Sequence, residues 1–216
     1  MERHRMADEV ARPWTVLSST VSFEDRWLKV RSDHCVTAAG AHVAPFHVLD
    51  YPDWVNVVPL TKDLRVVLIR EYRHGRAAVL DGLVSGGVER HDGTTDAAER
   101  AARREMREET GYGGGRFVPV LESFPNAASH TNRVTSFLAL DVALEGPSAL
   151  EPGESIDTYL DDLPSVMTRL RDGSLPMQAL HVAALWAAAG LILAGDPRVA
   201  GAEPLRAGLR RAILGE

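Results

Sequence analysis

The sequence predicts an α/β or α+β sandwich, and three observations carry that reading. Short β-like runs fill the first half of the chain, one well-marked helix follows, and helical stretches dominate the end. From Trp14 to about Leu49 the runs TVLSSTVSF, RWLKVRSDHCVT and HVAPFHVLD read as strands, separated by Glu-Asp and Ala-Gly-Ala turns. A second β series comprises Trp54–Leu60, Leu64–Arg70 and Ala78–Val84, with Lys62-Asp63 as the hairpin turn between the first two. The helix covers Asp96–Thr110. Asp96 and Glu99 stand at capping-box spacing, Gly111 stands where a left-handed C-terminal residue belongs, and Ala98, Ala101, Ala102 and Met106 recur at helical intervals. Strands are expected near Phe117–Ser123 and Val134–Val142. Two helices are then expected over Leu163–Arg171 and Met177–Ala194, with Pro164 at the start of the first.

A chain of 216 residues suits one large domain, or one domain with a small appendage. Its 45% hydrophobic and 25% charged content is that of a globular protein with a real core. A net charge of −6 provides no basic field for nucleic acid, and no long-range attraction for anions. Any phosphate must therefore be held locally, by metal or by a few placed arginines. Cys35 is the one cysteine, which excludes an internal disulfide framework and a thiolate metal cluster and suits a reducing compartment. The start, MERHRMADEVARPW, lacks the apolar centre of a secretory signal. The apolar stretch Ala179–Ala194 is shorter than the ~20 residues of a membrane span. A buried helix is expected there, and a cytoplasmic protein with neither membrane nor nucleic acid as partner.

The chemistry concentrates in Arg104-Glu105-Met106-Arg107-Glu108-Glu109-Thr110-Gly111-Tyr112. On a helix Glu105 lies one turn from both Glu108 and Glu109, so three carboxylates crowd together near a helix C-terminus. They repel one another and face the negative end of the helix dipole, each effect costing from a few tenths to ~1 kcal/mol. Folding gains nothing from this arrangement, whereas a hard divalent cation reverses the sign of both effects. Ligands that are all oxygen point to magnesium or manganese rather than zinc. The commonplace alternative is a solvated acidic face balanced by Arg100, Arg103, Arg104 and Arg107. Ser85-Gly86-Gly87-Val88-Glu89 and His91-Asp92-Gly93 weigh against it, because this glycine punctuation just after a strand lets backbone approach a ligand closely.

A strand, a glycine loop and an acidic helix in this order resemble the signature of the Nudix hydrolase family. Arg104, Glu105, Met106, Glu108, Glu109, Gly111 and Tyr112 match the second half of that signature at every specified position, and Ala101-Ala102 before it are typical. The first half departs from it. Asp96 stands where the family has Glu, Arg90 stands at the spacing of the family's Gly, and aligning Gly87 instead requires about three extra residues within His91–Thr95. More weakly, Val66–Arg73 and the strands of Trp14–Asp50 are similar to the ADP-ribose pyrophosphatase-like branch of the family.

The resemblance implies an α/β/α sandwich with a mixed sheet, plus an N-terminal antiparallel β-sheet layer. Residues 1–50 would form that layer, serving dimerisation and substrate binding, and residues 51–216 the catalytic domain. It implies Glu105, Glu108 and Glu109 as ligands to Mg²⁺, with Mn²⁺ as a substitute, Arg104 as their orienting partner, and Glu89 and the backbone at Gly87 as further ligands. Arg70, Arg73 and Arg76 are candidates for the substrate phosphates, since a guanidinium donates two parallel hydrogen bonds. Glu154, or Glu151 beside it, is the candidate general base. His130 in the polar loop PNAASHTNR receives no role, and Trp14, Trp27, Trp54 and Trp186 are either core or base-stacking residues. The implied activity is hydrolysis of a nucleoside diphosphate linked to a second moiety, ADP-ribose or a nucleotide sugar foremost. A dinucleotide, a modified nucleoside triphosphate, or a non-catalytic nucleotide sensor are the alternatives, and a homodimer is expected.

Overall fold

The computed structural model describes residues 12–89 and 96–215, so the loop carrying His91, Asp92 and Gly93 lies outside the described residues. The chain divides into two compact units. One comprises the chain up to Pro52 together with Phe124–Asn132, and the other comprises Asp53–Ser123 and Arg133 onward.

In the first unit β1 (Thr15–Glu24), β2 (Lys29–Val36) and β3 (His42–Asp50) form an antiparallel sheet in sequence order. The middle strand carries the buried residues Asp33 and Cys35, while every residue of β1 is exposed. Ser19 donates to the Asp33 carboxylate at 2.6 Å and the Arg31 guanidinium donates to its other oxygen at 3.1 Å, so the buried charge is paired. The polar loop with His130 belongs here too. Leu49 N–H donates to the Ser129 carbonyl at 2.8 Å, and Thr131 N–H donates to that of Leu49 at 3.1 Å.

The second unit is built on a mixed sheet of β4 (Trp54–Thr61), β5 (Arg65–Arg73), β6 (Ala78–Gly82), β7 (Val84–Gly87), β8 (Tyr112–Gly113), β9 (Arg116–Ser123), β10 (Val134–Leu144) and β11 (Ile156–Asp162). Its spine runs β11-β5-β4-β10-β8, with β6 paired to β5, β7 to β4 and β9 to β10. β4 and β10 are parallel and the other pairs antiparallel. Alternation along each strand sends side chains to two separate cores. Val58, Leu60, Val66, Leu68, Leu138 and Leu140 pack with α2 (Leu163–Asp172), α3 (Ala179–Ala194) and α4 (Leu205–Leu214). Val55, Val57, Val67, Ile69, Phe137 and Ala139 pack with Ala101, Ala102 and Met106 of α1 (Ala97–Thr110). Helices therefore cover both faces, giving the α/β/α sandwich with a mixed sheet that the resemblance implies.

Several local expectations are corrected. Asp96 makes no capping hydrogen bond: it pairs with Arg100, and Glu99 pairs with Arg103 at 2.8 Å, so i,i+4 ion pairs replace the capping box. The run Ala78–Val84 is two strands, because the chain breaks at Leu83 and passes from β5 to β4 as partner. Ile156 begins β11, a strand not among those expected from the sequence. A third closing helix, α4, follows α3, and its buried Leu205, Leu209 and Ala212 complete a layer that two helices leave open. The apolar stretch Ala179–Ala194 buries one stripe, His181, Ala184, Leu185, Ala188, Ala189 and Ile192, as a helix inside a globular protein does. Among the described residues no helix is long and apolar enough to cross a membrane.

Helix α4 meets α2 closely at Gly208, where an added Cβ would stand 2.7 Å from Cγ of Pro164, a rigid ring that cannot rotate away. At Gly190 of α3 nothing stands within 4 Å. Gly208→Val should therefore lower stability by roughly 1–3 kcal/mol through overpacking, while Gly190→Ala should raise it by roughly 0.5–1 kcal/mol. Urea denaturation of the two variants checks both signs, and equal effects would contradict the close α2–α4 contact.

Candidate active site

Helix α1 ends as its sequence requires. Gly111 adopts φ +75°, and its N–H donates to the Arg107 carbonyl at 3.0 Å. The last two turns carry Glu105, Glu108 and Glu109 on the side facing β7. Glu109 is only 6% exposed, and its carboxylate accepts a long hydrogen bond of 3.4 Å from Ser85 N–H. Glu105 lies against Gly86 so tightly that a Cβ there would stand 2.1 Å from its carboxyl carbon. A side chain at Gly86 would require the flexible end of Glu105 to move. Arg104 organises the cluster, donating to Glu105 at 2.7 Å, to Glu108 at 2.8 Å and to the Gly87 carbonyl at 3.2 Å.

Two more carboxylates join from outside the helix. Glu71 continues the Val67, Ile69 side of β5, the side that packs on α1, and forms an ion pair with Arg73. Ile156 is the register partner of Glu71, so the connection entering β11 brings Glu154 nearby. The Glu154 carboxylate accepts from Glu151 N–H at 2.9 Å.

The electrostatics of this gathering are one-sided. Burial, and then the charges of Glu105, Glu71 and Glu154, push the Glu109 carboxyl up to about 9, with the Ser85 N–H opposing weakly. Burial also raises Glu105, against the pull of Arg104, and raises Glu71, against that of Arg73. Burial works against the Arg104 charge, but Glu105 and Glu108 outweigh it and hold its pKa above the ordinary value. As they stand, no three acidic, imidazole or thiol side chains among the described residues close around an ion. Arg104 accounts for part of this by drawing Glu105 and Glu108 to itself. The donor set nevertheless fits a hard divalent cation. It is oxygen only, it carries more negative charge than its arginines balance, and its innermost member has no favourable way to ionise alone.

Beside the carboxylates lies a cleft of about 220 Å³ lined by Trp54, Val55, Arg73, Ser85, Gly86, Gly87, Gln178 and Leu180. Of the three arginines named from sequence, Arg73 reaches it. Arg70 falls on the opposite face of β5, where it pairs with Asp81 at 2.9 Å and lies 5.2 Å from the centre of the Tyr159 ring. Arg76 ends an exposed 3₁₀ turn, His74–Arg76. Glu89 is exposed and shares a second cleft with Arg100, Arg103 and Arg104 along the flank of α1. Sequence reasoning missed Glu71 and Gln178. The period-2 count from Val67 and Ile69 was the available signal for Glu71, whereas nothing in the sequence joins Gln178 to a loop some ninety residues earlier.

The fold defines a class, the α/β/α sandwiches in which an acidic helix packs on one face of a mixed sheet. Residues 50–172 match the family model of the Nudix domain, and residues 14–49 match that of the nucleoside diphosphate sugar hydrolase N-terminal domain. The Nudix match covers more than half of the chain, and the protein belongs to the Nudix hydrolase family. A solved structure described as an ADP compounds hydrolase superposes with a TM-score of 0.71 at 23% identity, over 87% of this chain and 98% of the other, and shows the same fold. No curated protein matches the sequence.

The raised Glu109 carboxyl sets a pH dependence. The metal-free folded state keeps this proton up to about pH 9, while the unfolded chain releases it near the ordinary glutamate value of 4.5. Between those limits the folded state binds more protons, so its stability falls as pH rises and is level outside them. Glu109→Gln removes this slope. With chelator present, its Tm should exceed that of the wild type by several degrees at pH 8.5 and by little at pH 5. A gain of equal size at both values, read by thermal unfolding, would contradict the assignment.

Proposed function

We propose that this chain hydrolyses the pyrophosphate of nucleoside diphosphates linked to a second moiety, with ADP-ribose or a nucleotide sugar as substrate and Mg²⁺ as the metal, Mn²⁺ substituting. The observation that carries the reading is the convergence of Glu71, Glu105 and Glu154 on the buried Glu109 beside the Gly86–Gly87 strand. In support of the substrate class, residues 14–49 match a domain described for nucleoside diphosphate sugar hydrolases, and the superposed structure is described as an ADP compounds hydrolase.

In this reading Glu105, Glu108 and Glu109 hold the metal, and the Gly87 carbonyl and Glu89 add oxygen donors. A divalent cation held there would supply charge neutralisation at the phosphoryl oxygens and a lowered pKa for water. Arg104 fixes the directions of Glu105 and Glu108 through its two-pronged contact. Arg73 meets the pyrophosphate from the cleft, as a planar fork suited to phosphate oxygens, whereas Arg70 is paired with Asp81 on the opposite face of β5. Glu154 takes the proton of the attacking water. One of its oxygens is held by Glu151 N–H, which orients the carboxylate and leaves the other free to accept.

The test is release of nucleoside monophosphate from a panel of nucleotide derivatives. Sugar-linked diphosphates should lead, Glu108→Gln and Glu109→Gln should each lower kcat by several orders of magnitude with the fold retained, and chelation should abolish activity reversibly. Turnover that survives exhaustive chelation would remove the metal assignment.

The same reading makes the protein a homodimer through the first unit. Val16, Leu17, Val21 and Phe23 of β1, with Trp14 and Trp27 beside it, are all exposed. A three-stranded sheet is marginal without a covered face, and a two-fold contact covers it with one self-complementary surface. Sedimentation should give a dimer for the full chain and a monomer for one beginning at Tyr51. A monomeric full chain would overturn this part and leave the catalytic reading standing.

A further inference from the structure

We propose that Arg107 is the positioning residue for the general base: it clamps the segment between β10 and β11 onto the end of α1 and so holds Glu154 beside the metal-side glutamates. The inference rests on the function proposed above, since it takes from there Glu154 as the acceptor of the proton of the attacking water.

The segment 145–155 has little of its own to hold it. None of its residues is buried, and it adds no side chain to either core. A loop without buried apolar contacts keeps one conformation only through its hydrogen bonds. Its far end is fixed where Ile156 meets Glu71 in the β5–β11 ladder. Its near end is fixed on the C-terminus of α1. Glu145 N–H donates to the Gly111 carbonyl at 2.9 Å and Ala149 N–H donates to the Glu108 carbonyl at 2.8 Å. Loop amides thus satisfy carbonyls that a helix end leaves open. The contact is close, since side chains at Gly111 and Gly113 would strike the Gly146 carbonyl and the Glu145 carboxylate.

Arg107 supplies the side-chain part of this joint. Its Nη1 donates to the Pro147 carbonyl at 2.9 Å, its Nε lies 3.7 Å from the Glu145 carboxylate, and a Cβ on Gly146 would stand 3.0 Å from its Nη2. The planar fork therefore meets three successive residues of the segment, which the point charge of a lysine cannot do at once. At about 100° per residue, Arg107 projects from the flank of α1 turned away from Glu105 and Glu109. It stands outside the metal row, and the family signature leaves its position open. Balancing the acids is the ordinary task of an arginine here, but Arg104 already pairs with Glu105 and Glu108. Beyond Pro147 the segment returns toward the acids, and the Glu154 charge is felt at Glu71, Glu105 and Glu109. The bonds that orient Glu154 run to Glu151 within the segment itself, so this turn goes wherever the segment is held. A base displaced by about 1 Å can lose roughly a hundredfold in rate.

The test is a double-mutant cycle in the full-length protein, with kcat measured on a sugar-linked nucleoside diphosphate at saturating Mg²⁺. Arg107→Ala should lower kcat by about ten- to a hundredfold, with KM and the Mg²⁺ concentration for half-maximal rate unchanged. Glu154→Gln should lower kcat further, and Arg107→Ala added to it should cost nothing more, because no base is left to misplace. Arg107→Lys, which keeps the charge and one donor for Pro147, should show a smaller loss that likewise vanishes beside Glu154→Gln. Hydrogen exchange should show faster amides over residues 145–155 in Arg107→Ala, with α1 protected as before. Losses that multiply in the double variants would overturn the proposal. So would an Arg107→Ala protein with wild-type kcat, with an unchanged exchange pattern, or with a raised Mg²⁺ requirement. Failure of the underlying reading looks different, since Glu154→Gln would then keep the wild-type rate while Arg107→Ala still loosened the segment.

Discussion

Where α1 crosses β7, the carboxyl group of Glu105 fills the space that a methyl group on Gly86 would occupy. The close approach of helix and strand shapes the site. It lets the helix sit close enough for Glu109 to be sealed beneath it, for Ser85 N–H to reach the Glu109 carboxylate, and for Arg104 to touch the Gly87 carbonyl. The helix is held there from its other residues. Ala101, Ala102 and Met106 pack into the core formed by Val55, Val57, Val67 and Ile69, and two alanines in succession keep the helix near the sheet. A larger residue at either alanine would lift the whole acidic row away from the glycine strand.

The arrangement works against folding and in favour of chemistry. Burial first, and then the charges of Glu105, Glu71 and Glu154, disfavours the charged form of Glu109. Arg104 and Arg73 relieve only the outer members of the group, Glu105, Glu108 and Glu71. The innermost acid is left with one long backbone hydrogen bond. Stability lost at such a place must be recovered elsewhere, and the two extensive apolar cores on either side of the sheet are where this chain recovers it.

Much of this was legible because the chemistry is local in sequence. Arg104, Glu105, Glu108 and Glu109 lie within six residues, so helical spacing alone places them on neighbouring positions, and Gly86–Gly87 is marked by composition. The apolar runs of β4, β5 and β10 likewise announce strands buried on both faces. What remained hidden depends on long-range pairing. Glu71 and Glu154 are eighty-odd residues apart, and only the β5–β11 register joins them. Arg70 and Arg73 look equivalent in the sequence, yet three residues along a strand is an odd step, which sends them to opposite faces. The capping box failed for a local reason, since Arg100 and Arg103 offered both acids a stronger partner one turn away.

The second face of the sheet has its own bearing on the site. Helices α2, α3 and α4 bury Val58, Leu60, Val66 and Leu68, and that requirement fixes where α3 begins. Its first turn is tied to the strands: Asn56 donates to the Leu180 carbonyl at 3.2 Å, and His181 accepts from Leu83 N–H at 3.2 Å. Burial, with the Arg73 charge adding to it, pulls the His181 imidazole down to about 3, so it stays neutral and keeps that acceptor through the physiological range. The anchor carries Gln178 and Leu180 to the cleft that Gly86, Gly87 and Arg73 also line.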